Sequence, residues 1–178
     1  MAESGQRRRV DRILKPAFVK GLSGLSIDEV RARRDECLAE REYLSLIRRQ
    51  VQGRAEILKA EVERRHAGGD QQPLIERLSE VLAPDGERGP SRGEAMRIGL
   101  PEEEMMHARR RVERLVGDTG ISDPSSMDDE RLAGAVELLL TEEREVSQVR
   151  AKVLAVHDAF QDELKRRYKD DITKVLGS

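Results

Sequence analysis

Apolar residues recur every seven positions in two long stretches of the chain. The first series is Val30, Cys37, Leu44, Val51 and Leu58, and the second is Leu132, Leu139, Val146, Val153 and Phe160. A repeat of seven places its members on one side of an α-helix, where they form the seam of a coiled coil. Ser26 and Glu29 have the spacing of a capping box, which predicts that the first helix starts at residue 27. It runs on toward Gly68 and Gly69, interrupted only by Gly53. A helix over 27–67 is about 60 Å long at 1.5 Å per residue, too long for one compact core, and it calls for a coiled-coil mate.

The mate lies in the same chain. A shift of 102 positions superposes Val30 on Leu132, Leu44 on Val146, Ile47 on Val149 and Val51 on Val153, and also Ser45 on Ser147 and Arg48 on Arg150. Two copies of a long helix, with a connector able to return the chain, predict an all-α fold: a long intramolecular antiparallel coiled-coil hairpin with a helical connector. Four segments follow. Residues 1–25 are expected to be a flexible basic N-terminal arm, with a short helix around Val10–Leu14 that ends at Pro16. Residues 26–67 form the first coiled-coil helix, 68–125 the connector and 126–176 the second helix, starting near Met127. Within the connector, Pro73 opens a helix over Leu74–Leu82. The stretch 84–100 reads as a Gly- and Pro-rich loop, and Pro101 opens a helix through Val116.

Composition agrees with this pattern. Charged residues make up 38% of the 178 and aromatic ones 2%, too few rings for a β-sandwich core. No stretch approaches the roughly 18 apolar residues of a membrane span, and the start MAESGQRRRV has no apolar secretion signal. The single Cys37 has no partner for an internal disulfide. The expectation is a cytoplasmic protein with no membrane association. A net charge of −2 argues against a direct DNA-binding role.

Beside the apolar seam each helix carries a second pattern. The first reads Arg41-x3-Ser45-x2-Arg48-x3-Gln52-x3-Glu56, the second Glu143-x3-Ser147-x2-Arg150-x3-Leu154-x3-Asp158. At about 100° per residue these offsets fall within an arc of roughly 80°, so each set forms one stripe. The basic residues of the chain are 26 Arg and 7 Lys, and guanidinium forks match O6 and N7 of guanine as well as phosphate. Carboxylates repel phosphate but accept from guanine N1–H and N2–H. Arg and acid on one stripe, present twice, suit a guanine nucleotide better than a bare polyanion. A plainer reading stays open, in which Glu143–Arg150 and Arg48–Glu56 are solvated ion pairs flanking a structural coiled coil.

The duplicated Glu-x3-Ser-x2-Arg-x3-Gln-x3-Asp spacing resembles the signature of the RsiG family, cyclic di-GMP-dependent anti-sigma factors of sporulating actinobacteria. The resemblance implies that Ser45, Arg48, Gln52 and Glu56 on the first helix, and Glu143, Ser147, Arg150 and Asp158 on the second, contact the ligand, an intercalated cyclic di-GMP dimer. Arg41 stands where the family has Glu, and it suits a phosphate. Leu154 stands where the family has Gln, and Glu56 replaces Asp. The implied partner is a flagellar-type sigma factor such as WhiG, sequestered from RNA polymerase by a protein that is monomeric by itself and not an enzyme. Candidate sigma-binding surfaces are Phe18 and Val19 of the arm, Met105 and Met106 of the connector, and the exposed hairpin faces.

Other chemistry is less well supported. Glu63-x2-His66 and Glu104-x2-His107 have di-iron spacing, but Arg64, Arg65, Arg109, Arg110 and Arg111 surround them with positive charge, so no metal is expected. His157 beside Asp158 reads as a packing residue or a neighbour of the ligand edge. Ser45 and Ser147 have no histidine base at a catalytic spacing. The alternative to the nucleotide switch is a structural coiled-coil adaptor that binds a protein partner without nucleotide.

Overall fold

The computed structural model describes residues 9–68, 100–117 and 124–176, and these are helical with no strand among them. A helical stretch at 9–13 leads into α1, Pro16–Val19, and a 3-10 turn at Leu22–Gly24. The two long helices are α2, Ile27–His66, and α4, Asp129–Leu176; α3, Glu102–Gly117, lies between them in sequence. The expected helix at 74–82 and the loop at 84–100 fall outside the described residues, apart from Leu100.

Helix boundaries follow local chemistry. The Ser26 amide donates to Glu29 Oε2 at 2.7 Å and the Glu29 amide to Ser26 Oγ at 3.2 Å, the reciprocal capping box. α4 begins at Asp129, slightly later than its expected start near Met127. Pro124, Ser125 and Ser126 form a 3-10 turn, and Asp128 is the cap, accepting from the Arg131 amide at 2.8 Å. Gly53 interrupts the apolar pattern but not α2.

The chain divides into two compact units, Met1–Ser45 with Ser147–Ser178, and Leu46–Val146. In the first unit, Arg31 Nε donates to Tyr168 Oη at 3.1 Å and Arg150 Nε to Ser45 Oγ at 2.8 Å, so α2 and α4 run antiparallel. Val30, Cys37, Leu44, Val153, Phe160 and Leu164 are buried between them. In the second unit Arg48 meets Glu143 and Arg65 meets Asp129, again antiparallel, around Val51, Leu58, Leu132, Leu139 and Val146. α3 buries Ala108 and Val112 in this unit, and Arg111 Nη2 donates to Glu142 at 2.8 Å. All ten heptad positions read from the sequence are thus buried, and the all-α antiparallel pairing is the one expected.

The N-terminal segment departs from expectation. Over residues 9–25 it is a docked part of the first unit, not a flexible arm. Ile13 is fully buried, and the Phe18 ring meets Phe160 edge-on with centroids 5.5 Å apart. Arg33 Nη1 donates to the Phe18 carbonyl at 2.6 Å, and its guanidinium lies 5.4 Å from the Phe18 ring centroid. Gly21 turns the chain with φ of 75°, a left-handed conformation suited to glycine. Arg167 then donates to the carbonyls of Leu22 at 3.0 Å and Leu25 at 2.7 Å. Arg9 pairs with the buried Glu40, and Arg12 with Glu36. Aligned carbonyls, two apolar anchors and four arginines together outweigh the entropy of a free arm.

Candidate functional site

The stripe residues lie on the flanks of the seam because each stripe is offset from the heptad positions by one residue: Leu44 precedes Ser45 and Val51 precedes Gln52.

In the first unit, the Ser45 hydroxyl donates to the Arg41 carbonyl one turn back at 2.7 Å and accepts from Arg150 Nε of α4 at 2.8 Å. One residue from each sequence copy is therefore brought into direct contact. Arg41 turns to its neighbour Glu42, with Nη2 2.5 Å from Oε1. Ser147 and Leu154 are half-buried on α4. Asp158 is exposed, and its Oδ1 lies 3.0 Å from His157 Nδ1, which places the histidine in the stripe's polar edge.

In the second unit, Arg48 Nη1 donates to Glu143 Oε1 at 3.3 Å, again joining the two copies. Arg48 pairs across the helices and not along α2 with Glu56, the plain ion pair considered from the sequence. Glu56 accepts from Lys59 Nζ at 3.0 Å. Gln52 is exposed. The Arg48–Glu143 pair is partly solvated, which makes it weak and exchangeable, on the order of 1 kcal/mol or less. Spacing along one helix identifies the residue types in each stripe but not the cross-helix partner.

Two stronger electrostatic clusters were not singled out from the sequence. Glu61 is 2% exposed and accepts from Arg64 and Arg65, each at 2.8 Å; Arg64 foremost, then Arg65, holds its carboxyl down at about 2 against the cost of burial. Arg65 also reaches Asp129 at 2.6 Å and the Pro124 carbonyl at 2.9 Å. Glu163 is likewise brought down to about 2, by Arg166 and then Arg167. These clusters fasten helix ends. Their only sequence signal is acid-to-Arg spacing of three and four residues.

Of the expected partner surfaces, Phe18 is buried and Val19 half-buried, whereas Met105 and Met106 are each 45% exposed. An open cleft of about 350 Å³ beside Phe18 is lined by Arg12, Lys15 and Arg33 with Glu36. His107 Nε2 lies 3.5 Å from Glu103 Oε1, and among the described residues no three His, Cys, Asp or Glu side chains come close enough to share a metal ion. No described helix is long and apolar enough to cross a membrane.

No curated protein matches the chain. Residues 16–82 match a family model described as RsiG-like. That range begins at α1 and contains the whole of α2 with its stripe. The segment carrying Arg41, Ser45, Arg48, Gln52 and Glu56 is thus similar to the RsiG-like family.

Proposed function

We propose that this protein is an anti-sigma factor that binds cyclic di-GMP along the stripes of α2 and α4 and, when loaded, sequesters a flagellar, WhiG-type sigma factor from RNA polymerase. The RsiG-like match supports an anti-sigma type of function and a binding switch over an enzyme. The observation that carries the nucleotide reading is the cross-helix meeting of the two motif copies, Arg150 on Ser45 and Arg48 on Glu143. Arginine supplies the donor pairs that guanine O6 and N7 accept, while Glu56, Glu143 and Asp158 accept from guanine N1–H and N2–H. Stacked nucleotides bring their own π surfaces, so a stripe without aromatics suffices for an intercalated ligand dimer, and its phosphates favour Arg over Lys. Gln52 and Arg41 complete the polar edge. The switch follows from linkage: ligand and sigma factor each stabilise the state that binds the other, so a fall in ligand releases sigma.

The test is isothermal titration of cyclic di-GMP into the chain, alone and with the sigma factor, beside an Arg48→Ala/Arg150→Ala variant and with cyclic di-AMP as base control. Binding of cyclic di-GMP only, lost in the variant, is the expected result. The same contacts favour a second reading, since stripe groups that already satisfy each other hold a coiled coil without nucleotide. Absence of cyclic di-GMP binding both with and without sigma establishes that adaptor in place of the switch.

A further inference from the structure

We propose that Ser45 is a positioning residue that sets the guanidinium plane of Arg150, and that its effect on nucleotide binding runs through that arginine. This rests on the reading of Arg150 as a guanine-recognising group. Ser45 has one proton and two lone pairs. The proton is given to the Arg41 carbonyl at 2.7 Å, and one lone pair receives Arg150 Nε–H at 2.8 Å. A phosphate oxygen needs a donor, and the Ser45 proton is committed to its own helix; the remaining lone pair serves only a donor such as a ribose hydroxyl. The resemblance, by contrast, implied a ligand contact here.

The bond instead constrains Arg150. Nε joins the guanidinium to its stem, so anchoring Nε–H fixes the rotation of the rigid plane and hence the direction of its Nη1/Nη2 edge. A base then meets an edge whose orientation was set before binding, and less rotational freedom is lost on recognition. The sequence-equivalent Arg48 is set differently, by the carboxylate of Glu143 at 3.3 Å. The two arginines are therefore not interchangeable, although the motif repeats.

Two measurements on the full chain test this. The first follows the Arg150 15Nε–1Hε resonance without ligand, assigned by its disappearance in Arg150→Lys. Ser45→Ala should shift it and speed its exchange with water by about tenfold, whereas Ser45→Thr, which keeps the hydroxyl, should retain the slow signal. The second is cyclic di-GMP titration. Ser45→Ala should raise Kd by about 3- to 10-fold, the cost of immobilising one long side chain on binding. In the Arg150→Lys background, where Nε is gone, it should add nothing. An unchanged resonance in Ser45→Ala, or an undiminished Kd penalty in the Arg150→Lys background, overturns the proposal. A responding resonance in a chain that takes up no cyclic di-GMP, with or without sigma, overturns the nucleotide reading and leaves Ser45 as the residue that sets Arg150.

Discussion

The docked N-terminal segment predicts a large effect from a residue that belongs to neither stripe. Phe18→Ala removes a ring that is 8% exposed and whose edge contact with the fully buried Phe160 spans 5.5 Å between centroids. Truncating a buried Phe to Ala costs about 3–5 kcal/mol. Phe18 borders the open cleft lined by Arg12, Lys15 and Arg33, so water fills part of the vacated space, and the lower end, about 3 kcal/mol, applies. The backbone bond from Arg33 to the Phe18 carbonyl survives the change. Of the total, about 0.5–1.5 kcal/mol belongs to the ring pair itself, and a double-mutant cycle with Phe160→Ala isolates it. Urea unfolding followed by helical circular dichroism reads the loss. At an m-value of about 2 kcal/mol/M the midpoint falls by roughly 1.5 M. Hydrogen exchange should show amides of the 9–19 region protected in the native chain and released in Phe18→Ala. A cost below about 0.5 kcal/mol, or fast exchange there in the unaltered protein, refutes the docking.

Two further outcomes follow from ionisation. Glu61 and Glu163 lie at about 2 in the folded chain against an ordinary 4.5, so their contribution is complete above about pH 5 and lost as pH falls toward 2. Glu61→Gln should lower stability at pH 7 by about 1–2 kcal/mol, because Arg64 is a third exposed and screened, and should flatten the acid limb of a pH–stability curve; an acid limb unchanged in slope contradicts the assignment. Burial, then the nearby Glu36, pushes the Cys37 thiol up to about 12. Its reaction with a disulfide reagent at pH 8 should be at least about 100-fold slower in native than in denaturant-unfolded protein, and comparable rates would place the thiol outside the seam.

The long helices were legible because a seven-residue repeat is a local signal that burial enforces at every turn, and each of the ten heptad side chains is buried. The Ser26–Glu29 box was equally plain, being completed within four residues. The start of α4 was harder, since Ser125, Ser126 and Asp128 all have capping chemistry and only the 3-10 turn decides among them. The N-terminal segment misled because Pro16, Gly21 and Gly24 break its periodicity. Its partners Glu40, Phe160 and Arg167 are 31 or more positions away, so nothing local announces that Ile13 and Phe18 are anchors. The stripe residues were found by type and helical face. Which arginine meets which acceptor depends on inter-helix register, and spacing within one helix carries no information about it.

Arg48 with Glu143 and Arg65 with Asp129 make the second unit a matched ruler. The marks are 65 − 48 = 17 residues apart on α2 and 143 − 129 = 14 on α4, about 26 Å and 21 Å, a difference of one turn that long arginines span. One codon inserted between residues 48 and 58 turns everything downstream by about 100°. Leu58 then leaves the seam, and Arg65 loses Asp129 together with the Pro124 carbonyl. A length change inside these helices therefore keeps the seam and both arginine contacts only in steps of seven residues, made on both helices together.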